Sequence, residues 1–224
     1  MKKIQLLSVI ALIVLGLVAC GSQDKESNAE PKENPSPAEQ KDVSNNKPEK
    51  NENGDVIFTK AGQKGKVDGG TLELLKIKNV NETIDIAPMK ITVKDIKLFK
   101  MTEMTEESKQ SFQMYNDNKA IGDALIYVQI SYDGENKEER NITWGSLLKA
   151  VTDKGQQIDV DMNDMISTNA DTDGNFLGKV TKEFTDGFVI NNEDISKLKL
   201  IWGATYDSDS YDTITKEQQV EYTF

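Results

Sequence analysis

The sequence predicts an all-β domain, a sandwich or a barrel, and three observations carry that prediction. Apolar residues recur with a period of two along most of residues 55–224. Turn signals separate these runs, namely Asp133-Gly134, Asp153-Lys154-Gly155 and Asp186-Gly187. Four of the five prolines lie instead within residues 21–54, where no aromatic residue occurs. Many short strands with regular turns therefore follow a segment that has no core of its own.

The first twenty residues have the layout of an export signal. Met1-Lys2-Lys3 is positively charged, residues 4–18 are apolar apart from Gln5 and Ser8, and small residues surround Cys20. The apolar run is shorter than the ~20 residues that a membrane-spanning helix needs. Residues 1–19 are therefore predicted to be a signal peptide that is cleaved before Cys20.

Leu17-Val18-Ala19-Cys20 resembles the lipobox of bacterial lipoproteins. In that family a diacylglycerol is joined to the cysteine sulfur, which implies that Cys20 is the lipidation site. Two acyl chains anchor a protein stably, at ~0.8 kcal/mol per buried methylene. The resemblance implies that the mature chain is held at the outer face of the cytoplasmic membrane, in a Gram-positive cell envelope. The alternative is an uncleaved signal anchor with a free thiol at Cys20.

Composition excludes several classes of function. Without Lys2 and Lys3, 25 of the 27 basic side chains remain against 38 acidic ones, which is a net charge of −13. Nucleic-acid binding depends on basic surfaces, so no nucleic acid is expected as a partner. Cys20 is the only cysteine, so the domain has no internal disulfide, and no histidine is present to act as a metal ligand or general base.

Residues 20–54 are predicted to be the lipidated cysteine and a disordered tether, and residues 55–224 the displayed domain. Val43 is the one branched apolar residue between positions 21 and 54, and polar and charged residues dominate that segment. Such a segment cannot bury enough apolar surface to offset its chain entropy. The alternative is a tether that itself binds a partner, but mixed charge without an aromatic anchor disfavours it.

The clearest strand covers residues 124–132, where both alternating sets of side chains are largely apolar, as expected of a central strand. Another strand starts at Pro88, and its alternation changes register near Lys94-Asp95, which predicts a β-bulge. Further strands are predicted at residues 71–78, 140–144, 147–152, 156–161, 179–184, 198–205 and 218–224.

One stretch departs from the strand pattern. Thr105 can cap a helix whose first turn carries Glu106 and Glu107 and which has Phe112 and Tyr115 on one face. This predicts one short helix, residues 105–116, inserted between two strands. The two tryptophans, Trp144 and Trp202, are expected in the core rather than as platforms for a ligand.

Three segments resemble an immunoglobulin-like domain found on Gram-positive lipoproteins, a family related to mycobacterial immunoprotective extracellular proteins. They are residues 124–138, residues 148–160 with the Asp153-Lys154-Gly155 hairpin, and residues 178–184. The resemblance implies an immunoglobulin-like β-sandwich and carries no catalytic residues. The chain differs from the family pattern in the helical insertion and in an acidic loop after Asp161.

Residues 169–175 match the first half of a calcium-binding loop. Its oxygen ligands would come from Asn169, Asp171, Asp173 and Asn175, with Gly174 at the sharp turn. The twelfth position of such a loop is normally a bidentate glutamate, whereas this chain has Val180. The alternative is a solvated loop in which Asp and Asn simply favour turns. Asp207, Asp209 and Asp212 form a second acidic loop with the same two interpretations.

No enzyme motif is present: the sequence lacks a nucleophile elbow, a zinc-protease helix and a glycine-rich phosphate loop. The prediction is a non-enzymatic binding domain that needs no cofactor and that binds an unknown protein or cell-envelope partner. The alternatives are a calcium-dependent structural or adhesive module and a hydrolase that uses two carboxylates or a Ser-Lys pair.

Overall fold

The computed structural model describes residues 46–166 and 173–224, and over these residues it confirms an all-β sandwich with a short helical insertion. The signal peptide, Cys20 and most of the predicted tether lie outside the described residues. Within the described ranges, no helix is long and apolar enough to cross a membrane.

The elements are β1 Glu49–Lys50, β2 Val56–Ile57, β3 Lys64–Val67, β4 Gly70–Ile86, β5 Met89–Thr102, α1 Glu106–Gln113, β6 Ala124–Asn136, β7 Ile142–Trp144, β8 Leu147–Thr152, β9 Gln157–Asp159, α2 Val160–Asn163, β10 Asn175–Phe176, β11 Thr181–Ile190, β12 Lys197–Trp202, β13 Thr205–Asp207, β14 Thr213–Thr215 and β15 Gln218–Thr223.

The strands form four antiparallel sheets in the described part of the chain. The largest has five strands in the order β11-β6-β5-β4-β3. Two four-stranded sheets have the orders β15-β12-β8-β9 and β10-β7-β13-β14, and β1 pairs with β2. Buried side chains from the five-stranded sheet and from both four-stranded sheets meet in one main core.

The main core is aromatic at its centre. Trp144 and Trp202 are buried there, as the sequence predicts, and their rings stack with centroids 6.1 Å apart. Tyr132 stacks on Phe184 at 5.1 Å and meets Trp202 edge-on at 4.9 Å. Such rings bury large areas and prefer stacked or edge-on contacts, so this cluster fixes how β6, β11 and β12 pack.

The five-stranded sheet carries a second, smaller core on its opposite face. Phe99 and Tyr127 stack there with centroids 5.2 Å apart, and Phe58 meets Phe99 edge-on at 5.4 Å. Because the second core covers this face near the start of β6, Leu125 and Tyr127 are buried there while Val128, Ile130 and Tyr132 are buried in the main core. The prediction of a central strand is therefore confirmed, and the strand is longer than predicted.

The bulge and the helix also follow the sequence. The pairing of β5 with β6 changes register between Val93 and Asp95. Thr105 caps α1, since its hydroxyl oxygen accepts the Ser108 backbone N–H at 3.1 Å. α1 lies between β5 and β6 in the chain, and Phe112 packs against the second core.

Two of the three predicted turns are wrong. Asp133-Gly134 lies inside β6 and Asp186-Gly187 inside β11, where Gly134 pairs with Lys182 and Gly187 with Gln129. Both glycines allow a close approach rather than a reversal of the chain. A Cβ at Gly134 would lie 3.2 Å from the rings of Phe176, Phe184 and Trp144, and one at Gly187 would overlap Ile166. The third turn is confirmed: Asp153-Lys154-Gly155 joins β8 to β9.

The structure shows hydrogen-bonded chain before the predicted tether boundary at Gly54. β1 pairs with β2, and the Gln63 side chain donates to the Lys47 carbonyl at 3.2 Å. The predicted tether, residues 20–54, therefore overlaps hydrogen-bonded chain at residues 46–54. These residues are held by backbone and side-chain hydrogen bonds. Amino-acid composition predicts how much apolar surface a segment can bury, but it does not predict such bonds.

Candidate functional site

A cavity of about 240 Å³ opens where β6 and β11 meet the connection between β7 and β8. Its remaining wall is residues 160–166, the helical turn α2 and the three residues after it, which we call the strap. Carboxylates, aromatic rings and a hydroxyl share the lining. The lining residues are Tyr132, Ser146, Leu147, Val160, Asp161, Asp164, Phe184 and Asp186.

The strand period places Asp186 in this cavity. On β11, Phe184, Phe188 and Ile190 belong to the main core, and Asp186 shares their face because side chains alternate along a strand. The hydroxyl of Tyr132 donates to Asp186 Oδ2 at 2.8 Å. A carboxyl group thus occupies a core-facing position with a phenol as its hydrogen-bond partner.

Asp164 fastens the strap to the edge of β11. Its Oδ1 accepts the backbone N–H of Gly187 at 2.8 Å and that of Ile166 at 3.0 Å. The backbone N–H of Met165 donates to the Gly187 carbonyl at 2.8 Å. Both attachments to β11 are made at Gly187, the residue that follows Asp186. Ile166 fits closely over Gly187, which explains the glycine there.

The electrostatics of the cavity make Asp186 proton-sensitive. Burial raises the pKa of Asp186 to about 7, against the lowering effect of the Tyr132 hydrogen bond, and the negative charges of Asp164 and Asp161 raise it further. Burial, followed by the charge of Asp186, raises the pKa of Tyr132 well above its ordinary value. Tyr132 therefore remains a neutral donor while Asp186 changes charge near neutral pH.

Asp173 and Asn175, the two described residues of the predicted calcium loop, do not line this cavity. Asn169 and Asp171 lie outside the described residues. Asp173 Oδ1 accepts from Lys182 Nζ at 2.7 Å, and this hydrogen bond, followed by one from Asn175, lowers the pKa of Asp173. Asn175 Oδ1 accepts from the hydroxyl of Thr143 at 3.0 Å.

Close packing against the Trp144 backbone explains why position 174 is a glycine. Its carbonyl accepts the Trp144 backbone N–H at 2.7 Å, and a Cβ at this position would overlap the Trp144 backbone. Among residues 46–166 and 173–224, no three acidic, histidine or cysteine side chains are arranged to hold a metal ion. Calcium binding by the whole loop stays a prediction.

The second acidic loop is organised by turn hydrogen bonds. Asp207 Oδ1 accepts the backbone N–H groups of Asp209 and Ser210, each at 3.0 Å. These bonds, that of Ser210 first, lower the pKa of Asp207. In this loop the solvated-turn interpretation accounts for Asp207.

The sequence analysis missed Asp186 and Tyr132 as functional candidates. The signal was present, because Phe184, Asp186 and Phe188 alternate at strand spacing and place an acid in a row of core residues. Because the Asp186-Gly187 dipeptide resembles a turn, the sequence predicts a turn there instead of a continuous strand with Asp186 facing the core.

Comparison with known proteins adds no identity. No protein-family model and no curated protein sequence matches the chain. A functionally unknown protein from Listeria monocytogenes EGD-e is similar in structure with a TM-score of 0.49 and 10% identity, over 70% of this chain and 88% of its own. A conserved hypothetical protein from Bacillus anthracis gives a TM-score of 0.36 and 14% identity, over 62% of this chain and 96% of its own. Similarity at this level carries no argument about function.

Proposed function

We propose that the chain is a lipid-anchored lipoprotein that presents a non-enzymatic binding domain at the outer face of the cytoplasmic membrane of a Gram-positive cell envelope. The observation that carries the anchoring is the order of the N-terminal pieces: a positive start, an apolar run, and Leu17-Val18-Ala19-Cys20. The β-sandwich supports the binding role, because such domains present cavities and loops on a rigid scaffold.

Cys20→Ala tests the anchor. Since no other thiol exists in the chain, the substitution removes the only site for a thioether-linked diacylglycerol. Cells grown with a palmitate analogue should label the natural chain and not the variant. Equal labelling of both would overturn the proposed anchoring.

The acidic cavity is the proposed binding site, and its ligand is a lysine or arginine side chain of an extracytoplasmic protein partner. The carboxylates of Asp161 and Asp164 attract a cation, and the carboxyl group of Asp186 and the rings of Tyr132 and Phe184 line the same space. An organic cation suits the arrangement better than a metal ion, because the described carboxylates do not converge as metal ligands do.

Binding of defined peptides tests this site. Peptides that contain lysine or arginine should bind the mature chain, and their acetyl-lysine or citrulline counterparts should bind at least about tenfold more weakly. Asp161→Asn should weaken binding by a similar factor. Asp209→Asn, which makes the same charge change in the loop between β13 and β14, is the matched control. Equal weakening by both substitutions would show that general charge, not the cavity, is responsible.

A hydrolase is the second candidate, and one observation favours it. A carboxyl group whose pKa is raised to about 7, close to other carboxylates, has the properties of a general acid. A hydrolase would show a rate that falls as pH rises through about 7 and that is abolished by Asp186→Asn. Absence of turnover on a panel of chromogenic glycosides and peptides leaves the binding role as the better account.

A further inference from the structure

The strap is hydrogen-bonded to β11 next to Asp186. The strap also carries Asp161 and Asp164, whose negative charges repel the ionised carboxylate of Asp186. Its two hydrogen bonds to β11 join Asp164 Oδ1 to the Gly187 N–H, at 2.8 Å, and the Met165 N–H to the Gly187 carbonyl, at 2.8 Å. Asp186 precedes Gly187 and points into the cavity that the strap closes on one side.

Within the described part of the chain, the groups that face Asp186 from the surrounding elements are neutral or negative. β6 contributes the neutral phenol of Tyr132, the strap contributes Asp161 and Asp164, and the connection between β7 and β8 contributes the hydroxyl of Ser146. On β11 itself, Lys182 shares the face of Asp186, and its Nζ lies 2.7 Å from Asp173 Oδ1. Ionised Asp186 is therefore accompanied by like charges on the strap.

We propose that Asp186 is a proton-controlled latch: while its carboxyl group is protonated the strap stays docked on β11, and when the proton leaves the strap is released and the cavity opens. The proton passes to solvent through the cavity mouth. Opening admits water to the carboxylate and moves Asp161 and Asp164 away from it, so the ionised form favours the open state. This device lies beyond the proposed binding role and holds whichever partner the cavity takes.

The sign and the range of pH follow from the surroundings of Asp186. Burial and the neighbouring carboxylates raise its pKa to about 7 in the docked state, while the Tyr132 hydrogen bond opposes them. In the open state the pKa returns toward its ordinary, lower value, because these causes are removed. By linkage, docking is favoured most below the open-state pKa, weakens as pH rises between the two pKa values, and is weakest above about pH 7.

A spin label on the strap measures the release. Met162 lies on α2 and is 73% exposed, so Met162→Cys can carry a nitroxide without entering the core. The mature chain is used with Cys20→Ser, which leaves the label site as the single thiol. We expect the mobile fraction of the label to rise as pH increases from 5 to about 7 and to level off above that value. With Asp186→Asn the label should stay immobile from pH 5 to 9.

Two further variants change the released fraction in opposite directions. Tyr132→Phe removes a hydrogen bond that stabilises ionised Asp186 in the docked state and should increase the mobile fraction at pH 8. Asp161→Asn removes part of the repulsion that drives release and should decrease the mobile fraction at pH 8, while Asp209→Asn should leave it unchanged. These changes keep the test decisive even if Asp186→Asn fails to fold. Mobility that is constant from pH 5 to 9, or changes of the wrong sign, would overturn the latch.

Discussion

At the scale of single residues, Asp186 makes the stability of the domain depend on pH. A carboxyl group whose folded pKa, about 7, lies above its ordinary value of 3.8 holds its proton in the native state after the unfolded chain has lost it. The native state then binds more protons than the unfolded state between these two values. Its contribution to stability is complete below the lower value and is lost as pH rises through the higher one.

Asp186→Asn should remove that dependence. The amide cannot ionise, so the variant should be more stable than the natural protein at pH 8 by about 1–3 kcal/mol, and the difference should shrink by pH 5. Urea unfolding at the two pH values measures it, with Asp209→Asn as the charge-matched control. An identical pH dependence in both proteins would contradict the raised pKa of Asp186.

Gly134 is a second residue whose identity is decided by its neighbours. A Cβ there would lie 3.2 Å from three aromatic rings of the main core, those of Phe176, Phe184 and Trp144. Gly134→Ala should therefore cost about 1–3 kcal/mol in the free energy of unfolding, because the rings cannot all move away within a packed core.

Gly122→Ala is the matched control, since a Cβ at Gly122 meets nothing within 4 Å. Chemical denaturation of both variants makes the comparison. Equal effects of the two substitutions would mean that the flexibility of glycine, not the close approach of the rings, explains Gly134.

At the scale of elements, what the sequence predicts well is what depends on neighbouring positions. The helix cap at Thr105, the bulge near Lys94-Asp95 and the Asp153-Lys154-Gly155 turn are all confirmed, because each rests on local chemistry. The sequence wrongly predicts turns at the two Asp-Gly pairs that lie inside strands. Aromatic rings from β7, β10 and β11 pack against Gly134, and the strap packs against Gly187, so these contacts explain the two glycines. These contacts join residues far apart in the chain. The cavity was missed for the same reason.

The chain that leads into β10 contains Asp173, one of the predicted calcium ligands. Asp173 already shares a hydrogen bond with Lys182 Nζ at 2.7 Å, so a divalent ion at this carboxylate must compete with a bound ammonium. We expect the melting temperature to be the same in chelator and in about 5 mM calcium, a concentration above the range of weak extracellular sites. Differential scanning calorimetry on the mature chain measures it. A rise of several degrees that Asp173→Asn removes would favour the calcium-dependent module instead.

At the scale of the whole chain, the boundary between tether and domain decides how far the domain can move from its anchor. The sequence predicts a tether as far as Gly54, whereas the structure shows hydrogen-bonded chain within residues 46–54. The side chain of Gln63 contributes hydrogen bonds both to this segment and to the loop before β3. Its Oε1 accepts the N–H groups of Thr59, at 2.6 Å, and Lys60, at 2.9 Å, while its Nε2 donates to the Lys47 carbonyl at 3.2 Å.

Proteolysis after lysine locates this boundary. Cleavage requires a backbone that can leave the fold, so Lys25, Lys32 and Lys41 should be cut first. Lys50 should be cut much later, because β1 pairs with β2 through Lys50 and Val56. Mass spectrometry of the early fragments should find domains that begin after Lys41.

Gln63→Ala should shorten the delay at Lys50, because it removes the hydrogen bond to the Lys47 carbonyl and the two bonds that shape the loop before β3. Gln219→Ala, on β15 in a different sheet, should leave the order of cleavage unchanged. Cutting at Lys50 as fast as at Lys41 in the natural protein would return the boundary to Gly54. The tether would then be longer by the nine residues from Asn46 to Gly54.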